Sequence, residues 1–186
     1  MIKLLEKHKK EVIPGMMKKF GYKNKMAVPM IKKAVVNVGF GKLVAPKTKS
    51  ERDKISQEFV DDLALVVGQK PVLTNAKTSI SAFKTRAGMS IGAKVTLRRK
   101  KMYDFLERLV NIALPRTSDF KGVEPKSIDK SGNLTIGIKE HIVFPEVSPE
   151  SVKRIFSFEV TVVTNAKNQE EATELFKLYG FPIKKN

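Results

Sequence analysis

Lysine and arginine side chains are concentrated in two blocks of this chain, and the chemistry they offer is phosphate binding. Residues 68–101 carry nine Lys or Arg and no Asp or Glu, and residues 1–33 carry ten basic and two acidic side chains. Segments 34–67 and 102–186 are balanced, so the net charge of +17 resides in the two blocks. Charge focused in this way favours the backbone of a nucleic acid. A membrane surface is disfavoured because the lysines do not line one clearly amphipathic helix.

Catalytic chemistry would need a nucleophile, an acid–base pair or a metal site, and none is evident in the sequence. His8 and His141 are far apart and fall in no metal-ligand spacing. Asp61 and Asp62 are adjacent on a predicted helix, so their side chains point in different directions. There is no cysteine, no G-x-S-x-G, no H-E-x-x-H and no dinucleotide fingerprint. The sequence therefore predicts a protein that is not an enzyme and has no cofactor and no metal.

Apolar periodicity indicates the elements that must position the basic side chains. The predicted order is helix, strand, helix, strand, strand, helix, strand, strand, helix, which is typical of an α+β fold. We expect a mainly antiparallel sheet with helices packed on one face and a long basic loop, 74–89, between two strands. The predicted helices are 2–20, 47–67, 102–114 and 168–179, and the predicted strands are 31–40, the region of 72–73, 91–97, 134–138 and 155–163.

Several single residues refine this prediction. Pro14 is expected to break or kink the first helix or to start a second one, and Pro115 to end the helix at 102–114. Gly68 is expected to cap the helix at 47–67. Phe83 either anchors the basic loop to the core or stacks on a base, and anchoring is favoured. Asn37, between Val36 and Val38, should point away from the core.

The length of 186 residues and 41% hydrophobic content allow one substantial core, and we expect a single domain over 1–186. No stretch approaches the length of a membrane span and the N-terminus lacks the apolar core of a signal peptide, which predicts a soluble, unexported protein. Two alternatives to a specific RNA-binding protein remain open: a non-specific basic nucleic-acid-binding protein and an RNA-modifying enzyme.

Segments along nearly the whole chain resemble, in order, the large-subunit ribosomal protein family that binds 5S rRNA, known in bacteria as the "L five" proteins. The N-terminal stretch KHKKEVIPGMMKKFGYKN also fits. The helix approach at 45–57 looks longer than is usual in that family. The strings that carry the likeness are VVNVGFG at 35–41, GQKPVLTNAKTSISAFKTRAGMSIGAKVTLR at 68–98, MYDFLERLVNIALPRTSDFKG at 102–122, GNLTIGIKEHIVFPE at 132–146 and VVTNAKNQEEATELFKLYGFP at 162–182.

The resemblance implies binding of 5S rRNA through the open polar face of the sheet, and attachment of that RNA to the central protuberance of the large ribosomal subunit in the cytoplasm. Amide and hydroxyl groups would meet bases or 2′-hydroxyls while cations hold the backbone. The matching rRNA-binding positions are Asn37, Gln69 and Thr96, with Lys70, Lys94 and Arg98 as phosphate partners.

The resemblance also implies further partners. The long basic loop would contact the sugar–phosphate backbone of the P-site tRNA. The candidate side chains are Lys77, Ser79, Lys84 and Arg86. The loop at 115–121 and the segment at 139–146 would face a small-subunit head protein across an inter-subunit bridge. Large-subunit rRNA and other 5S-rRNA-binding ribosomal proteins complete the expected partners, and no membrane partner is expected.

Overall fold

Five strands form one sheet in the computed structural model, which describes residues 4–118, 120–148, 150 and 152–184. The spatial order is β2-β3-β1-β5-β4, and every neighbouring pair is antiparallel. The α+β prediction is thereby confirmed. The strands are β1 Ile31–Gly39, β2 Val72–Asn75, β3 Ser90–Leu97, β4 Leu134–Ile138 and β5 Phe158–Thr164.

One face of the sheet is buried and the other is open, because apolar residues alternate with polar ones along the three central strands. On β1, Ala34, Val36 and Val38 are buried, whereas Asn37 is exposed. The buried positions of β3 and β5 follow the same alternation. Helices cover the apolar face, and the polar face exposes Asn37, Lys94 and Glu159 on the three central strands.

Apart from short 3-10 turns, five helices accompany the sheet in the part of the chain that the structure describes. Helix α1 comprises Leu4–Lys7, a wider turn at His8–Val12 and Ile13–Phe20, and helix α4 likewise comprises Arg99–Arg108, a wider turn at Leu109–Ala113 and Leu114–Arg116. The short helix α2 spans Gly41–Val44, α3 spans Lys49–Val67 and α5 spans Gln169–Tyr179. Helix α2 was not predicted.

Both prolines lie inside helices instead of ending them. An α-helical segment, Ile13–Phe20, begins just before Pro14, which fits the prediction that this proline starts a second helix, whereas the predicted end before Pro115 is wrong. Both prolines are accommodated in the same physical way. The residue before each proline donates its N–H to the carbonyl five residues earlier, Ile13 to His8 and Leu114 to Leu109. This wider turn relieves the clash that a proline ring makes with the preceding helical turn, so the helix continues.

Helix α3 has strong signals at both ends. The hydroxyl of Thr48 accepts a hydrogen bond from the N–H of Glu51, and the Glu51 carboxylate accepts one from the N–H of Thr48, which completes a capping box. The backbone N–H of Thr48, followed by its hydroxyl, donates to the Glu51 carboxylate, and these two hydrogen bonds lower the pKa of that carboxyl. At the other end Gly68 adopts a left-handed conformation, with φ of 70°, as predicted. The chain at 45–47 forms a turn ahead of this cap.

The core lies between the helices and the apolar face of the sheet. Phe59 of α3 packs between Phe40 and Phe156, with ring centroids 4.8 Å from each. Strand β5 begins at Phe158 instead of the predicted 155, since the N–H of Phe156 donates to His141 Nδ1 and its ring stacks on the imidazole. The residues before β5 are therefore held by the 141–147 segment instead of by the sheet.

Candidate nucleic-acid interface

The register of the central strands brings three predicted rRNA-binding residues together on the open face. Asn37 of β1 lies opposite Lys94 of β3, and Val35 lies opposite Thr96. Because directly opposed residues of an antiparallel pair project to the same side, these side chains form one patch. Asn37 and Lys94 are exposed and Thr96 is partly exposed, so all three are accessible to a ligand.

The other three predicted residues lie at the margin of this patch. Arg98 is exposed and directly follows β3, where it precedes helix α4. Gln69 and Lys70 lie between the end of α3 and the start of β2. Since Val72 pairs with Lys94, the chain at Lys70 approaches the Thr96 end of β3. Gln69 and Lys70 therefore border the central patch on its β2 side, and Arg98 borders it at the end of β3.

Sequence reasoning missed the residues that β5 and β4 contribute to the same face. Glu159 lies opposite both Asn37 and Gly137, and Thr161 lies opposite both Val35 and Thr135. The hydroxyl oxygens of Thr135 and Thr161 are 3.4 Å apart. The alternation of Phe158, Glu159, Val160 and Thr161 carried the signal for exposure. Only the strand order reveals that these residues extend the patch.

A shallow depression of about 530 Å³ lies on this half of the open face. Asn37 and Glu159 line it together with Gly39 and Gly137, where an added Cβ atom would meet nothing within 4 Å. The backbone of β1 and β4 is therefore directly accessible here. The surface offers an amide, a carboxylate and a lysine, from Lys139, to a polar ligand.

The long basic loop is an ordered hairpin that continues the β2–β3 pair. Ala76 and Met89 are joined by a backbone hydrogen bond of 2.8 Å, and Ile80 and Thr85 exchange two more. The hydroxyl of Ser79 accepts a hydrogen bond from the N–H of Ala87, at 2.9 Å, so this predicted tRNA-binding side chain also holds the loop in shape.

The three predicted tRNA-binding cations are exposed around this hairpin. Lys84 occupies the left-handed region at its tip, with φ of 52°, and its backbone N–H donates to Ser81. Lys77 and Arg86 lie on the two opposite arms of the loop. The hairpin thus presents positive charge on both arms and at the tip.

Phe83 does not anchor the loop to the core, so the favoured prediction for this residue is wrong. Its side chain is 66% exposed and it is absent from the buried cluster that forms the core. The reason is the hairpin itself: backbone hydrogen bonds between its two arms hold the loop, without the help of a buried side chain at its tip.

Both histidines are structural in this fold. His8 Nδ1 lies 2.7 Å from the hydroxyl of Tyr179, and burial, with a smaller effect of Lys9, lowers the pKa of His8. Burial also lowers the pKa of His141, whose Nδ1 accepts the hydrogen bond from Phe156. In the part of the chain that the structure describes, no three His, Asp or Glu side chains converge as metal ligands would. Within the same residues no helix has the length and apolar character needed to span a membrane.

The acidic surface of α3 is engaged by a later segment of the chain. Glu58 forms ion pairs with Lys153, at 3.1 Å, and with Arg154, at 3.7 Å. Burial, followed by repulsion from Glu58 and Asp61, raises the pKa of Asp62. This concentration of carboxylates makes the α3 surface electrostatically unsuited to RNA, in contrast to the open face of the sheet.

An antiparallel sheet with one open polar face, edged by lysines and arginines and extended by a basic hairpin, is an architecture suited to binding structured RNA. Comparison with known proteins agrees. Residues 24–86 match the family described as "Ribosomal protein L5", and residues 90–183 match the family described as "ribosomal L5P family C-terminus".

Similar proteins cover the chain from end to end. The "Large ribosomal subunit protein uL5" of Halothermothrix orenii is 52% identical over 180 residues, which is 97% of each chain. Those of Thermoanaerobacter sp. and Desulforapulum autotrophicum are 49% and 48% identical, over 100% and 99% of both chains. The chain therefore belongs to the ribosomal protein L5 family of large-subunit proteins. Membership in this family makes it a structural, rRNA-binding protein of the cytoplasmic ribosome that takes part in translation. Because proteins of this family are not enzymes, the prediction that the protein has no catalytic activity is confirmed.

Proposed function

We propose that this protein binds 5S rRNA through the open face of its sheet and helps to attach that RNA to the central protuberance of the large subunit. The observation that carries the proposal is the register, which puts Asn37, Lys94 and Thr96 side by side on one accessible surface. We also propose that the chain acts as a single domain over 1–186. Large-subunit rRNA and other 5S-rRNA-binding ribosomal proteins would be its neighbours there.

In this proposal the polar side chains and the cations have different tasks. Asn37 and Thr96 meet bases or 2′-hydroxyls of an irregular RNA loop, since short amides and hydroxyls both donate and accept hydrogen bonds. Lys94, Lys70 and Arg98 pair with phosphates, and Gln69 adds an amide at the β2 edge. Specificity then comes from the centre of the patch and affinity from its margin.

The basic hairpin is proposed to contact the P-site tRNA. Lys77, Lys84 and Arg86 offer charge around the loop, and the donor hydrogen of the Ser79 hydroxyl is still free for a phosphate oxygen while its oxygen holds the Ala87 N–H. Backbone contact suits this partner because the ribosome accepts every tRNA and reads no single sequence in it. An ordered hairpin also loses less conformational entropy on binding than an unstructured loop.

We further propose that the loop at 115–121 and the segment at 139–146 face a small-subunit head protein. Residue 119 of that loop lies outside the described residues. The second segment is held firmly: His141 and Phe144 are buried, and Glu146 forms an ion pair with Arg108 of α4. A rigid, electrically balanced surface fits a protein partner better than it fits RNA.

The test is a salt titration of binding to 5S rRNA, to an unrelated structured RNA and to duplex DNA. Wild type is compared with the double variant Asn37→Ala and Thr96→Ala. The matched control makes the same two changes on helices at Asn111 and Thr173. Two lost polar contacts of about 1 kcal/mol each predict weakening for 5S rRNA of about tenfold or more, and little change for the other ligands.

Selective binding to 5S rRNA that survives raised salt and is reduced only by the open-face variant supports the proposal. Equal affinity for all three ligands would indicate a non-specific basic nucleic-acid-binding protein. Full 5S rRNA affinity in the open-face variant would remove Asn37 and Thr96 from recognition.

A further inference from the structure

A cleft of about 740 Å³ lies between helix α2 and the basic hairpin. Phe40 and Ile91 line its base, Leu43 lines the helix side, and Ile80 and Phe83 line the hairpin side. Its volume is within the range of small-molecule sites, and its surface is mainly apolar with a few polar groups, as such sites usually are. The surface assigned above to 5S rRNA does not include this cleft.

The cleft is preformed at its base and unfilled at its sides. Phe40 is fully buried and stacks on Phe59, with a ring separation of 4.8 Å, so the base is part of the rigid core. Leu43, Ile80 and Phe83 are 46%, 44% and 66% exposed. Three large apolar side chains around one opening form a patch of the kind that marks a binding site.

The charge around the cleft selects the class of occupant. Lys42 and Lys77 line it, and its described lining contains no Asp or Glu. Lys84 follows Phe83 in the hairpin and is also exposed. An apolar slot beside cations complements a ligand that joins a flat apolar group to a negative charge, which is the chemistry of a nucleotide. A purely apolar protein helix would leave these cations without partners.

The cleft is continuous with the open face of the sheet. Gly39 lines both the cleft and the depression next to Asn37. It lies opposite Gly92, and a Cβ atom added to Gly39 would meet nothing within 4 Å. Within the described residues nothing therefore blocks the surface at Gly39 itself, so an RNA strand on the open face can pass over this glycine into the cleft.

We propose that the cleft binds one unstacked nucleobase of an RNA strand, with the ring against Phe83 and Leu43 and the adjoining phosphate near Lys42 and Lys77. This proposal rests on the proposed function, in which the open face binds RNA. The exposed ring of Phe83 would stack on the base. Such stacking is favourable for every base, because each base has a flat π-face, so it does not depend on the RNA sequence.

The first experiment uses methyl-resolved NMR of the intact protein titrated with AMP and, separately, with ribose phosphate. AMP is expected to shift the methyl signals of Leu43, Ile80 and Ile91, while Ile136 of β4 serves as the internal control. Ribose phosphate is expected to leave the cleft signals in place because it lacks the base. Equal shifts with both probes would mean a lysine–phosphate contact alone and would overturn the proposal, as would no shift with either. Shifts produced by a neutral apolar peptide but not by AMP would reassign the cleft to a protein partner.

The second experiment measures binding of a short single-stranded adenylate RNA to variants of exposed residues. Phe83→Ser is expected to weaken binding by about fivefold or more, the lower range for loss of one base–aromatic stack. Phe83→Tyr keeps the ring, and Leu65→Ser makes the same polar change at a site on α3 that is 57% exposed. Both should stay within about twofold of wild type. Equal loss in Phe83→Ser and Leu65→Ser would overturn the proposal.

The two proposals fail separately. AMP binding requires neither 5S rRNA nor the Asn37 and Thr96 side chains, so a negative result in the cleft leaves the 5S rRNA assignment intact. Loss of discrimination for 5S rRNA, with AMP still bound in the cleft, would instead contradict the proposed function alone.

Discussion

Removing one hydroxyl from the core, by Tyr179→Phe, is expected to destabilise the fold well beyond the effect of an ordinary tyrosine substitution. Tyr179 is the last residue of α5 and is 2% exposed. Its hydroxyl lies 2.7 Å from His8 Nδ1 of α1. Burial, followed by the nearby Tyr103, raises the pKa of Tyr179, so the hydroxyl stays protonated and joins α5 to α1.

The magnitude follows from the groups left behind. Without the hydroxyl, His8 loses this partner while it is only 7% exposed. A buried polar group without a partner costs about 1–3 kcal/mol, which is the loss expected in the free energy of unfolding. For a chain of this size that corresponds to a fall in Tm of roughly 2–12 °C.

Urea unfolding followed by circular dichroism measures the change, with Tyr22→Phe as the matched control. Burial and a hydrogen bond to Glu171 raise the pKa of Tyr22 to about 12, but Tyr22 is only partly buried and water can replace its hydroxyl. We expect the control to lose about 0.5 kcal/mol or less. Equal losses in the two variants would refute the argument, because they would show that His8 does not depend on the Tyr179 hydroxyl.

Three further outcomes are expected. Gly92→Ala should lower Tm by several degrees, because the new Cβ atom would lie 2.7 Å from a carbonyl oxygen of β1. Gly39→Ala should be tolerated, since its Cβ atom would meet nothing within 4 Å, and thermal unfolding of the two variants measures the difference. Lys94→Gln should reduce the slope of log affinity for 5S rRNA against log salt by about one, and Lys167→Gln should not; equal slopes would remove Lys94 from phosphate contact. The folded-state pKa of His8 lies below 6.5, so the unfolded chain binds more protons as pH falls below that value and stability drops. Denaturant unfolding at about pH 7 and about pH 5 should therefore show a smaller loss in His8→Gln than in wild type, and identical losses would contradict this.

Much of the fold was predictable because it depends on local patterns. The alternation along 31–40 and 91–97 identifies strands, and the three-and-four spacing along 47–67 identifies a helix with a glycine cap. The predicted helix end before Pro115 is wrong, since a wider helical turn accommodates this proline and is not visible in the residue types. The predicted start of β5 at residue 155 is too early. Phe156 continues the apolar alternation of the strand, but its N–H donates to His141 instead of to a neighbouring strand.

The candidate interface was predictable in part. Charge counting located the basic hairpin, and alternation indicated that Asn37 points away from the core. Glu159, Thr161 and Thr135 were missed, because their exposure is visible in sequence but their position beside β1 is not. Phe83 was misassigned for a related reason: an aromatic residue in a polar loop usually packs inward, and backbone pairing across the hairpin makes that unnecessary here.

By itself the sequence determined the fold class, the confinement of the excess charge to two blocks and the side of each strand that faces water, because these depend on neighbours a few positions apart. Only the tertiary structure decided that β1 lies between β3 and β5, that His8 meets a tyrosine 171 positions later and that one glycine joins the open face to an apolar cleft. These relations arise from packing between distant segments of the chain. Such contacts stabilise the protein only after the segments have come together, which costs loop-closure entropy that no local sequence pattern reveals.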